Sequence, residues 1–186
     1  CPNKMNLGLK KNKTPDIDLF SNWPEKPYRW MLEDLTNSIN ANANYLVGLG
    51  LFCYTEIIGR EIMKFLEPTK NWSKGKTNKT CFNKFFGEYM GYADLLIKHP
   101  GLYDWFRNGF CHGYMIETAS YGKSGVYHYF EDTDIDKFKN EGIDTSRGIL
   151  IAKNTKIRIL IIEPYLRDFK KGIEKFLAES GQLILY

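Results

Sequence analysis

The residues in this sequence best able to do chemistry lie in one short run, Arg107-Asn108-Gly109-Phe110-Cys111-His112. A guanidinium stabilises the charge that builds on phosphate oxygens in a transition state. An imidazole moves protons near neutral pH. An amide can orient a phosphate or fix one imidazole tautomer. Together they suit transesterification in RNA, where a ribose 2′-hydroxyl attacks its own phosphodiester. That chemistry needs no metal or other cofactor if the His and the Arg do those jobs, so none is expected.

These side chains act together only if the backbone puts them on one side of an element. The sequence predicts a helix from Leu102 to about Glu117. On a wheel of about 100° per residue, Leu102, Trp105, Phe106, Gly109, Phe110, Gly113 and Ile116 share one arc, the core face. Asp104, Arg107, Asn108, Cys111 and His112 fall in an opposite arc about 140° wide, joined by Met115. Asn108 and His112 are four apart and stack on one side. By composition alone, such polar residues on the outer side of a surface helix are ordinary, and physics favours no catalytic role for them.

Other helices must hold this one in place. Tyr28 to about Asn42 reads as a helix, with Trp30, Met31, Leu35 and Ile39 at helical spacing. A second runs from about Asn44 to Leu66, with Leu46, Leu49, Phe52, Cys53, Ile57 and Phe65 as its apolar stripe and Glu56–Arg60 as an i,i+4 pair. Pro68 and the polar segment Thr69–Lys79 end it. A third runs from Thr80 to about His99, bent near Gly91, before Pro100-Gly101 interrupts the chain. Val126–Phe130 then reads as a strand and Thr133–Asn140 as a short capped helical turn. Gly148–Ala152 and Lys156–Ile162 form a hairpin around Lys153-Asn154-Thr155. Pro164 to about Ser180 is a final amphipathic helix carrying Leu166, Phe169, Ile173, Phe176 and Leu177 on one side. The expected fold is mainly α, a helical bundle with a small antiparallel β-sheet inserted at about 124–162 before the last helix. Residues 1–23 read as an N-terminal arm, and 24–186 as a single domain.

Composition narrows the class. With 43% hydrophobic and 26% charged residues, the 186-residue chain is of the folded globular kind, and its 12 Phe, 12 Tyr and 4 Trp are enough to fill a core. The net charge of +4 tolerates an anionic partner without demanding one. Lys4, Lys10, Lys11 and Lys13 mark a solvated tail. Lys70, Lys74, Lys76, Lys79 and Lys84 surround Trp72; they read as a solvated surface or, less simply, as cations around a ring that stacks on a base. Cys1, Cys53, Cys81 and Cys111 lack metal-ligand spacing, and isolated thiols fit a reducing cytoplasm. The sequons at Asn12, Asn71 and Asn78 are most simply chance in a chain rich in Asn and Lys. No signal peptide or membrane span is visible, and cytoplasmic location is expected.

Several motif fragments fail on inspection. Gly75-Lys76-Thr77 ends like a phosphate-binding loop, but Lys70 stands where its first glycine is required. Gly48-x-Gly50 lies within a helix, with Cys53 at the third glycine position. Asp132, Asp134 and Asp136 imitate a calcium loop, yet Lys137 replaces the turn glycine and Ile143 the closing Glu. His99 and His128 have no ligand-like neighbours in sequence.

The run Arg107, Asn108 and His112, with four residues between the Arg and the His on a late helix of a bundle, resembles the R-x(4–6)-H signature of HEPN domains. The flanking Leu102-Tyr103-Asp104-Trp105-Phe106 and Gly113-Tyr114 are similar to members of that family. The resemblance covers residues 28–117 and the last helix, and leaves the inserted sheet unexplained. It implies a homodimer through the motif helix and metal-independent endoribonuclease action in RNA processing, toxin–antitoxin or defence systems, with RNA and a cognate antitoxin or other protein as partners. In that reading His112 is the general acid/base, Arg107 the transition-state clamp and Asn108 the positioning amide. Glu56 supports them if it approaches across the bundle, beyond its plainer pairing with Arg60. Tyr103 and Tyr114 border the polar arc, where they either stack on a base or pack at a dimer face. Cys111 is a spectator. Relatives without activity serve as binding or dimerisation modules, so a non-catalytic interaction module of the same fold is the second expectation. A small-molecule pocket in the aromatic core is a third.

Overall fold

The structure is a computed structural model that describes residues 26–41, 43–72, 75–109, 124–127, 140, 144, 146–152 and 157–180. Helix α1 (Lys26–Asn40) and helix α2 (Asn44–Leu66) are joined by a short link. The Ala43 N–H bonds to the Ser38 carbonyl there, at 2.9 Å. Helix α3 (Asn78–Lys84) continues into a π-helical turn, Phe85–Tyr89. Gly91 then takes φ +82°, a left-handed conformation open to glycine and strained for a side chain. The bend expected there is therefore a full break, and α4 (Ala93–Lys98) starts anew beyond it. Helical residues resume as α5, 102–109, centred on a second π-helical turn, Asp104–Asn108.

Strands β1 (Ser124–Tyr127), β2 (Ile149–Ala152) and β3 (Ile157–Ile161) lead into the last helix, α6 (Ile162–Glu179). β2 and β3 form the expected antiparallel hairpin, with Ile149 opposite Leu160 and Ile151 opposite Arg158. β1 lies on the other side of β3 and runs parallel to it, giving the order β1-β3-β2. The long connection 128–156 allows this, since parallel neighbours require a crossover that no tight turn can supply. The strand residues expected at 128–130 and the capped turn at 133–139 lie outside the described residues.

The core is largely aromatic. Phe52 of α2 meets Phe106 of α5 at 5.4 Å and Tyr165 of α6 at 5.2 Å between ring centroids. Phe82 stacks on Phe86 at 5.2 Å, and Phe86 on Tyr92 at 4.6 Å. Offset and edge contacts of this kind add to the area they bury. On α6, Phe169, Ile173 and Phe176 face inward as the amphipathic pattern requires. On α2 the buried residues are Val47, Gly48, Leu51, Phe52, Thr55, Glu56, Ile58, Gly59, Ile62 and Met63. Leu46 and Phe65 of the expected stripe are about half exposed instead. The helix is apolar on nearly every side, so periodicity alone does not select its inner face. Close backbone approach does: a Cβ on Gly59 would overlap the Cys81 carbonyl of α3, and only glycine permits that contact.

Trp72 belongs to the interior. It is 2% exposed in a small cluster with Met63 and Cys81, and its indole N–H donates to the Glu67 carbonyl at 3.2 Å. The Lys70 ammonium lies 4.1 Å from the ring centroid. A ring so covered has no face for a base, so the stacking role considered for it is withdrawn.

The break at Gly91 is fastened to the sheet and to α6. Arg147, just before β2, donates to both Asp94 carboxylate oxygens at 2.9–3.0 Å and to the Gly91 carbonyl at 2.9 Å. Tyr92 donates its phenol to Asp168 of α6 at 2.7 Å and accepts the Gly148 N–H at 2.8 Å. Arg167 holds the second Asp168 oxygen at 2.9 Å and the Ser146 carbonyl at 2.8 Å. Among the described residues, no helix is long and apolar enough to cross a membrane.

Candidate functional site

The site begins with an acid in the wrong place for a surface pair. Glu56 is the only charged residue between Tyr45 and Gly59, and it is 3% exposed. A carboxylate so buried needs partners for both oxygens, because its desolvation costs several kcal/mol. Arg60, one turn along α2, donates to Oε1 through Nη2 at 2.9 Å. The same nitrogen reaches Asn78 Oδ1 of α3 at 2.9 Å. On the other oxygen, Oε2, Tyr103 donates its hydroxyl at 3.0 Å and Arg107 places Nε at 2.7 Å. Residues of α2 and α5 thus meet on one carboxylate, and α3 joins through Asn78 on Arg60.

The π-helical turn explains how α5 presents both Tyr103 and Arg107 to α2. Its Gly109 N–H reaches back five residues to the Asp104 carbonyl. In an α-helix four residues overshoot a full revolution, whereas in this wider turn they fall short of one. Arg107 is thereby swung back towards the side occupied by Tyr103 and Phe106. Tyr103, placed at the border of the polar arc by the even wheel, is 6% exposed, with its ring edge-on to Phe82 at 5.3 Å. It holds Glu56 rather than facing outward to a base. Burial first, and then the neighbouring Glu56 carboxylate, push the Tyr103 phenol well above its usual range, with Arg107 opposing them. The hydroxyl is therefore a permanent donor at physiological pH.

Two guanidinium groups face one carboxylate, and both keep contact with solvent, at 24% exposure for the Arg60 side chain and 19% for Arg107. One residue further out on the same turn, Asp104 accepts from the Asn108 amide at 3.0 Å and from Lys79 Nζ of α3 at 2.9 Å. Cys81 of α3 is buried, which raises its thiol pKa and makes it a packing residue.

Of the residues singled out from sequence, Glu56, Tyr103 and Arg107 come together, and Asn108 lies on the same turn, bonded to Asp104. His112, Tyr114 and Cys111 lie outside the described residues. Glu56 makes both the pairing with Arg60 and the approach to the motif helix across the bundle. Asn78, Lys79 and Asp104 were missed as a group. The available signal was the lone acid of the apolar stretch 45–59, since a charge buried there had to draw cations from other elements. Comparison with family models, with curated proteins and with solved structures finds no match to this chain.

Proposed function

We propose that this protein is a metal-independent endoribonuclease of HEPN type, cleaving RNA by attack of a ribose 2′-hydroxyl on the adjacent phosphate. The observation that carries the reading is the convergence of Arg60, Tyr103 and Arg107 on the buried Glu56, at the turn that also carries Asn108. Arg107 takes the phosphate oxygens as charge builds on them, and Glu56 and Tyr103 act as positioning residues for it. Asn108 orients the phosphate or the imidazole. His112 accepts the 2′-hydroxyl proton or delivers one to the leaving 5′-oxygen, forming a 2′,3′-cyclic phosphate and a 5′-hydroxyl end. Two copies meeting through the motif helix would pool their Arg and His residues into one cleft. RNA is then the substrate, a cognate antitoxin the expected regulator and the cytoplasm the expected site of action.

The test is cleavage of mixed RNAs in EDTA by the purified protein and by His112→Ala and Arg107→Ala variants. The wild type should yield cyclic-phosphate ends, and His112→Ala should be slower by about 10²–10⁴-fold. Equal inactivity of wild type and variants removes the reading for those substrates, and equal activity removes the assigned residues.

One observation favours a second reading, a non-catalytic interaction or dimerisation module. Arg107 is already paired with a buried acid, as a purely structural arginine would be. In that case the wild type is inert and Arg107→Ala lowers stability or dimerisation alone.

A further inference from the structure

The cations of α2, α3 and α5 differ in their exposure. Arg107 and Arg60 lie innermost, with side chains 19% and 24% exposed, and Lys79 lies outermost at 45%. Two adjacent pairs connect the levels: Asn78, which holds Arg60, precedes Lys79, and Arg107 precedes Asn108. At the outer level the ammonium of Lys79 and the amide of Asn108 converge on one acceptor, the Asp104 carboxylate, at 2.9 and 3.0 Å. Asp104 is itself 48% exposed. A cation and a neutral donor aimed from two elements at one anionic oxygen group make the donor set that a phosphodiester takes. An exposed ion pair of this kind is weak, so an incoming anion displaces it at little cost.

We propose that Lys79 and Asn108 form a subsite for an RNA phosphate next to the one on Arg107, and that Asp104 occupies it in the RNA-free protein. This rests on the RNA-cleaving reading above. The Asp104 carboxylate is a built-in competitor: it keeps the two donors oriented and weakens binding of any strand that does not displace it. RNA that fills the inner and outer positions together gains a second phosphate contact and a fixed direction across the turn.

The experiment uses the full chain and a fluorescein-labelled RNA oligonucleotide of about twelve nucleotides, 2′-O-methylated so that no attacking hydroxyl remains. Binding is followed by anisotropy over a salt series. Loss of one phosphate contact on a single strand should take about 0.7 off the slope of log K against log salt. Lys79→Ala should show that change with about three- to tenfold weaker binding at low salt, and Lys79→Arg should restore both. Asp104→Asn should tighten binding about threefold or more at low salt and lose the advantage at high salt. All three substitutions are read beside cleavage of unmodified RNA by the wild type. Wild type that cleaves, with Lys79→Ala and Asp104→Asn binding unchanged, overturns the subsite and keeps the nuclease. Wild type that binds through Lys79 but never cleaves keeps the subsite as an RNA contact and overturns the nuclease. Absence of any salt-dependent binding overturns the subsite, and absence of cleavage as well overturns both.

Discussion

Two arginine clusters hold this fold together, and they differ in charge balance. Around Gly91, Arg147 and Arg167 face Asp94 and Asp168, so two cations meet two acids and the leftover donors go to backbone carbonyls. Around Glu56, Arg60 and Arg107 share a single acid. The first cluster is a staple: it closes a chain break with matched charges near the surface. The second gathers two guanidinium groups and a phenol on one buried carboxylate. The contrast separates a clasp of paired charges near the surface from a buried acid shared by two arginines.

Removing the hub of each cluster tests the contrast, beginning with the largest effect. Glu56→Ala leaves two guanidiniums facing each other with no buried acid between them, and should cost about 3–5 kcal/mol in urea denaturation. A cost no greater than that at Asp94 would mean that Glu56 is an ordinary surface pair and would erase the distinction. Tyr92→Phe strips the Gly148 N–H and the Asp168 carboxylate of one partner and should cost about 1–3 kcal/mol. RNA cleavage should survive that change in the fraction that stays folded. Asp94→Asn should cost about 1 kcal/mol or less, because the Asp94 carboxylate is about half exposed.

The Asp94 change also carries a pH signature. The Arg147 hydrogen bonds hold the Asp94 carboxyl below its ordinary value. Its contribution is therefore complete above the unfolded pKa, about 3.9, and is lost as pH falls through the lower folded value. The stability gap between wild type and Asp94→Asn should be flat from neutrality to about pH 5 and close below about pH 4. A gap that widens on acidification would reverse the assignment of charge at that clasp.

Much of the fold was legible in the sequence where local signals agree. The limits Asn44 and Leu66 of α2 follow from apolar content ended by Pro68, and the β2–β3 hairpin from two β-branched runs around a polar tripeptide. What escaped depended on partners distant in sequence. The inner face of α2 is set by the contact of Gly59 with α3, and the direction of β1 by a crossover that leaves no local trace. Trp72, flanked by lysines, read as a ring that could meet a base because its partners Met63 and Cys81 belong to two different helices. At the candidate site the pairing of Glu56 with Arg60 was readable from spacing, but the roles of Tyr103 and Arg107 around it depend on a turn that an even wheel misplaces. Lys79 and Asp104 meet across 25 positions, and no periodicity reports such a meeting.

The widened turn at Asp104–Asn108 also makes the sequence a poor ruler for protein engineers. Each residue of helix advances the azimuth by about 100°. Deleting one residue inside the bulge would relax it to regular winding, because five residues of the wide turn sweep about the same azimuth as four of an α-helix. A scan that spaces its substitutions by threes and fours across this point would sample two unrelated faces while seeming to sample one. Single-residue deletion and insertion variants, paired so that they cancel, are the finer instrument here, because they report azimuth separately from chemistry.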